Sequence, residues 1–163
     1  MAKTVPPAYS VTKFSRNESV GYLIGELRAR LINALDTELT PLGLTATQWT
    51  TLARLQEGDT ITAAELCRRA GCDTGAMTRM LDRLEEKGLV DRERSVDDRR
   101  VYILSITEAG HALLNEALPS VVNVLNRHLT GFTAAELKQL KGFLRRMIAN
   151  GSATPPEGEN TSS

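Results

Sequence analysis

No excess charge of either sign marks this chain: 20 lysines and arginines balance 20 aspartates and glutamates, for a formal net charge of zero. Proteins that coat nucleic acid indiscriminately carry a cationic surplus, so this balance argues against that class. Any grip on phosphates must come from arrangement. Cysteine and histidine are equally scarce, limited to Cys67, Cys72, His111 and His128. No pair among them has the spacing of a zinc site, so neither metal nor cofactor is expected. No glycine-rich loop follows a strand, and neither histidine sits with an evident serine or cysteine nucleophile, so the chain is not expected to be an enzyme. Long apolar runs are missing as well, and the opening MAKTVPPAYSVTKFSR lacks the apolar stretch of a secretory signal. The expectation is a cytoplasmic protein that keeps its cysteines as thiols and has no membrane partner.

What is present is helical patterning. The 163 residues suit one domain of ordinary size, and 41% apolar residues suffice for a core. Thr62 and Glu65 form a capping box that opens a helix through Cys67 and Arg68 and stops at Gly71. A turn of a few residues follows, and Asp73 or Thr74 can cap the next helix. In that helix Met77, Met80, Leu81 and Leu84 share a buried face at three- and four-residue spacing, and Gly88 ends it. The opposite face carries Thr74, Gly75, Thr78, Arg79 and Asp82, with Arg83 on its flank. Short donors and outward-reaching cations on one helical face suit base edges and phosphates in a major groove. The plainer alternative for Arg79 is a solvated cation paired with Asp82.

Past Gly88 the pattern alternates. Val90 begins one strand, Val101 to Ile106 form another, and the loop Ser95 to Arg100 between them ends in Asp98-Arg99-Arg100. Guanidinium groups at a hairpin tip suit phosphates or a narrow minor groove, with Asp98 able to orient a neighbouring arginine. For Arg99 and Arg100 the plainer alternative is a charged, soluble turn. Ile61 can pair as a short third strand.

The TxxEL start, Thr78-Arg79, the LEEKGLV run from Leu84 to Val90, the DDRR of the wing and the LSITEAG exit from Leu104 to Gly110 together resemble the DNA-binding half of the MarR (multiple antibiotic resistance regulator) family of bacterial repressors. The resemblance covers roughly residues 16 to 149. It implies a mainly α fold with a small β-hairpin wing, in which a winged helix-turn-helix core is joined to N- and C-terminal dimerisation helices. It also implies that Arg100 reaches the minor groove, that Asp98 supports it and that Arg99 touches the backbone.

The expected organisation is an N-terminal extension over 1–16, dimerisation helices over 17–44 and 107–149, the winged helix-turn-helix over 45–106 and a disordered tail over 150–163. The first helix, about Ser15 to Thr40, places Val20, Ile24, Leu27, Leu31, Leu35 and Leu39 on one stripe. Thr45 and Gln48 open the next helix, and Thr133 and Glu136 open the last. Between them a helix from Thr107 towards Leu129 contains Pro119, where a kink is expected. The apolar surface of these terminal helices exceeds what a small winged unit can cover, so a homodimer is expected to read double-stranded DNA as a pseudo-palindrome.

Arg68, Arg69, Thr74, Gly75, Thr78, Arg79, Arg83, Asp98, Arg99 and Arg100 are therefore the expected DNA-contacting set. Tyr22, Arg28, Trp49 and His111 are a candidate pocket for a small effector: one cation and an aromatic wall suit an aromatic carboxylate or a phenol. Cys67 and Cys72 read as small buried hydrophobes, and the family's peroxide-sensing branch keeps its reactive cysteine in the first helix, where this chain has none. Two rival functions stay open: a thiol-based redox sensor, and a winged-helix adaptor that binds protein without DNA affinity.

Overall fold

Six helices and three strands succeed one another in the described residues of a computed structural model: α1 (Val20–Leu39), α2 (Ala46–Gln56), β1 (Ile61–Thr62), α3 (Ala63–Ala70), α4 (Thr74–Glu86), β2 (Val90–Arg94), β3 (Tyr102–Ile106), α5 (Glu108–His128) and α6 (Ala134–Ser152). Described are residues 8–58, 61–70, 73–96, 98 and 101–152, excepting the side chains of Ile61, Arg69, Ala70 and Ser152. The chain divides into two compact units after Leu125.

The first unit is built on caps that the sequence spells out. Thr45 Oγ1 accepts from the Gln48 N–H at 3.2 Å while Gln48 Oε1 accepts from the Thr45 N–H at 3.1 Å, closing the capping box of α2. Asp36 of α1 reaches across to accept from the Ala46 N–H at 2.7 Å, so one more free donor of α2 is satisfied from a neighbouring helix. A cap of this kind is worth about 1 kcal/mol.

Periodicity places the start of the first helix near Ser15, whereas α1 begins at Val20. Ser19 is the cap that wins: its backbone is extended and its hydroxyl accepts from the Tyr22 N–H at 3.2 Å. Arg16–Glu18 form a separate 3-10 turn, and the Tyr9 hydroxyl accepts from the Val20 N–H at 2.9 Å.

One apolar cluster joins the lower end of α1 (Leu39) to α2 (Leu52, Leu55), α3 (Leu66), α4 (Met77, Leu81, Leu84), the hairpin (Val90, Leu104) and α5 (Leu114, Ala117, Val121). Each such leucine contributes about 2 kcal/mol through removal from water. The sheet order is β1-β3-β2, antiparallel throughout, so the short strand anticipated at Ile61 is present and pairs with Leu104. Register in the hairpin puts Val90 opposite Ile106 and Arg92 opposite Leu104.

Gly88, at φ 66°, takes the left-handed conformation that ends α4, and the Leu89 N–H returns to the Leu84 carbonyl at 2.9 Å. Thr107 then ties the hairpin to α5. Its hydroxyl donates to the Gly88 carbonyl at 2.7 Å and accepts from the Gly110 N–H at 3.0 Å. A Cβ on Gly110 would stand 2.4 Å from the Leu89 carbonyl oxygen and 2.6 Å from Ile106 Cγ1, so only glycine lets the start of α5 lie this close to the hairpin. Pro119 sits inside α5, which continues to His128 although proline has no N–H to give the Asn115 carbonyl.

In the second unit Thr133 and Glu136 form the expected box. The Thr133 N–H and hydroxyl each donate to Glu136 Oε2 at 2.8 Å, and the Glu136 N–H returns to Thr133 Oγ1 at 3.2 Å. Those donors hold the Glu136 carboxyl below the usual glutamate range, the backbone bond being the largest cause. The helix runs through Ser152, past the expected end at 149, because a glycine at 151 costs only about 1 kcal/mol in a helix and the nearest proline lies beyond it. The rest of the expected tail lies outside the described residues.

Candidate nucleic-acid interface

Asp73 settles which residue caps α4. Its carboxylate accepts from the Gly75 N–H at 2.8 Å and the Ala76 N–H at 3.2 Å, leaving Thr74 as the first helical residue. With Met77, Leu81 and Leu84 buried and Met80 half-buried, the faces of α4 fall as the spacing requires. The Thr51 hydroxyl contacts Met80 Sδ at 3.4 Å, which fixes that inner face against α2.

Thr74, Gly75, Thr78, Arg79 and Arg83 are exposed together on the outer side. The Thr78 hydroxyl donates to the Thr74 carbonyl at 2.9 Å and keeps a lone pair outward. Arg79 Nη1 would lie 3.5 Å from a Cβ built on Gly75, so this guanidinium folds along the start of its own helix, over the one position without a side chain. Among the described residues neither Arg79 nor Arg83 meets a carboxylate. Arg68 of α3 is likewise exposed and makes no ion pair with a described residue.

The pairing of Arg79 with Asp82, read from the sequence as the plainer alternative, does not form. Asp82 is taken by Arg92 of β2, whose Nη2 donates to Asp82 Oδ1 and whose Nε lies 3.0 Å from Glu85 Oε2. The Nε–H is not aimed at that oxygen, so the second contact is coulombic rather than a hydrogen bond. Arg92, which the sequence motifs do not single out, thus joins the hairpin to α4. A signal was there: alternation places Arg92 on the same side of β2 as buried Val90, and an arginine at an inward position demands a partner.

At the wing tip the Ser95 N–H donates to the Val101 carbonyl and the Val101 N–H to the Asp98 carbonyl, both at 2.9 Å, closing the hairpin. Arg94 stacks over Tyr102 at 5.5 Å. Asp98 is exposed. Arg99 and Arg100, together with the Arg69 side chain and Cys72, lie outside the described residues. Cys67 is a half-buried thiol packed on the core, with Sγ 4.0 Å from Thr74 Oγ1.

The candidate effector residues fall on separate elements. Tyr22 and Arg28 are exposed on α1, while Trp49 on α2 and His111 on α5 are half-buried. Trp49 Nε1 is buried with no acceptor in the described residues. A cavity of about 560 Å³ lies elsewhere, between the lower half of α1, α2 and α4, and none of the four lines it. Arg54, Arg79 and Arg83 contribute its cations, Asp36 its carboxylate, and Ile32, Leu35 and Met80 part of its apolar wall. A further tie closes the neighbouring groove, where Lys87 Nζ donates to the Gly43 carbonyl at 2.6 Å.

Comparison with known proteins agrees with this geometry. The MarR family model matches residues 44–102, the span from the turn before α2 to the start of β3. The multiple antibiotic resistance protein MarR of Escherichia coli (strain K12) is 33% identical over 128 residues, covering 78% of this chain and 87% of the relative. The transcriptional repressor MprA of the same strain is 29% identical over 160 residues, 91% of each chain. Among solved structures, a mutant of MarR from E. coli complexed with operator DNA superposes with a TM-score of 0.71 at 33% identity, over 81% of this chain and 96% of that one. A capped helix that turns threonines and arginines outward, a hairpin beside it, and likeness over most of the length of these relatives lead to one conclusion: the chain belongs to the MarR family of transcriptional regulators.

Proposed function

We propose that this protein is a homodimeric repressor that binds a pseudo-palindromic operator and is released by a small aromatic carboxylate or phenol. The observation that carries the DNA-binding part is the outer face of α4. There Thr74, Gly75, Thr78, Arg79 and Arg83 stand exposed, and neither arginine meets a carboxylate among the described residues of a chain of zero net charge. Exposed cations beside short polar groups on one helical face match phosphates and guanine edges as acceptors. Likeness to a repressor and to a MarR crystallised with operator DNA supports the same reading.

Dimerisation is supported by apolar stripes left uncovered: Val20, Leu23, Ile24 and Leu27 on α1, Leu118, Val122 and Leu125 on α5, and Phe143, Leu144, Met147 and Ile148 on α6 are all exposed. A second copy with two-fold symmetry covers such stripes and sets two reading helices about 34 Å apart, one turn of DNA. Release by an effector is supported by the cavity beside α4. Its lining shares Arg79 and Arg83 with the reading face, so an aromatic acid held there competes with phosphates for the same cations.

Fluorescence-anisotropy titration tests this reading. The protein is added to duplex from upstream of its own gene and to a scrambled duplex at several salt concentrations, then again with salicylate-like acids and phenols. Preferential binding with a steep salt slope is expected, and weaker binding with ligand. Equal, feeble binding to both duplexes, repeated with sequences selected from a random pool, would reject it.

A further inference from the structure

The contact between the wing base and the reading helix has a geometry that surface ion pairs usually lack. One guanidinium serves two carboxylates on successive positions of a single helical face, Asp82 and Glu85. The arginine is the sheltered member, its side chain only 20% exposed against 47% for each acid. It belongs to the middle of β2, opposite buried Leu104, so it has little freedom to move without the hairpin. Between the two acids and Arg92 the chain makes the tight turn at Gly88. The ion pairs therefore close a short loop whose open form costs little entropy to restrict.

We infer that Arg92 is a positioning residue for sequence discrimination: it holds the wing at one angle to α4 and neutralises two acids that flank the reading face, without itself touching DNA. The inference rests on the DNA-binding reading above. Two physical consequences separate it from a general stabilising role. First, a wing free to swing still finds phosphates, which lie everywhere along a duplex, but it no longer reaches the groove while α4 is in register, so loss falls on the specific complex. Second, Asp82 and Glu85 are harmless only while paired. Released, they repel the phosphates held close to Arg79 and Arg83 when α4 is seated in the groove, so this loss too falls mainly on the specific complex.

The experiment is a double-mutant cycle on the full chain. A duplex is selected by the wild-type protein from a random pool, and its scrambled counterpart serves as the non-specific probe. Affinities for both are measured by anisotropy across salt for wild type, Arg92→Met, the pair Asp82→Asn with Glu85→Gln, and all three changes together. Arg92→Met is expected to weaken the selected duplex about tenfold and the scrambled one by less than about twofold, with the salt slope unchanged. In the neutralised background the same change is expected to add no more than about twofold. Arg92→Lys keeps the charge but loses the fork, so its discrimination ratio should fall between wild type and Arg92→Met; it also serves if the methionine variant does not fold.

Equal weakening on both duplexes, with a slope smaller by about one, would make Arg92 a phosphate contact and overturn the inference. So would full discrimination in Arg92→Met, or an undiminished effect of that change when both acids are already neutral. If the selection itself returns no preferred duplex, the DNA-binding reading falls before any variant is made, and the inference falls with it.

Discussion

Helices α4 and α6 are both amphipathic, yet they treat their apolar faces in opposite ways. In α4 the inner side chains Met77, Leu81 and Leu84 are buried in the core of their own unit, and the exposed positions are polar: threonine, glycine and arginine, with Glu85 and Glu86 in the last turn. In α6 no described side chain is buried, and Phe143, Leu144, Met147 and Ile148 all stand exposed. The first helix is complete as it stands and offers polar groups to a partner of another chemistry. The second is unfinished, and only another apolar surface completes it. Within α1 the same division runs along one helix: Leu39 is buried at its lower end while Val20, Leu23, Ile24 and Leu27 are exposed at the other.

This comparison is breakable by substitution. Leu84→Ala empties a fully buried site in α4 and should lower stability by about 3 kcal/mol, read from urea unfolding at a protein concentration high enough to keep subunits associated. Phe143→Ala with Met147→Ala should leave the helical circular dichroism unchanged but, in the proposed dimer, raise the dissociation constant about a hundredfold by sedimentation, as removal of about 3 kcal/mol of apolar contact requires. An unfolding penalty in α6 equal to that in α4, with association unaltered, would erase the distinction. On the finished side, Arg79→Ala should weaken the preferred duplex by about 2 kcal/mol, measured by anisotropy, with no change in melting temperature beyond about 1 °C.

The smallest effect belongs to Glu136. Its folded carboxyl titrates below its unfolded counterpart, so the stabilisation is present above the ordinary glutamate range and is lost as pH falls through the lowered value. Amide exchange at the start of α6 should quicken there, while Glu136→Ala should abolish that pH dependence.

How much of this was legible beforehand follows from the range over which each interaction acts. Caps act over three residues, so the boxes at Thr45 and Thr133 and the stop at Gly88 were visible as letters, and each is formed. Alternation over the hairpin and the pairing of Ile61 were visible for the same reason. The start of α1 lies later than periodicity places it because Ser19 caps the Tyr22 N–H, whereas Ser15 caps only a 3-10 turn without a side-chain bond, and Tyr9, eleven residues before Val20, adds a contact that no local spacing reveals. The Arg92 fork depends on where a strand passes a helix, and the cavity is lined by α1, α2 and α4; neither arrangement has a spacing to read. The four residues picked for an aromatic pocket illustrate this limit, since their chemistry suits one ligand while the chain spreads them over three helices.

Gly110 leaves a mechanical legacy. Because nothing larger than a hydrogen atom fits between the start of α5 and the Leu89 carbonyl, the helix and the hairpin have no cushion between them. A cushion would absorb small rotations; its absence makes α5 a lever whose short arm bears directly on the wing. Rotation of that first turn passes to the hairpin directly, so the two move as one piece.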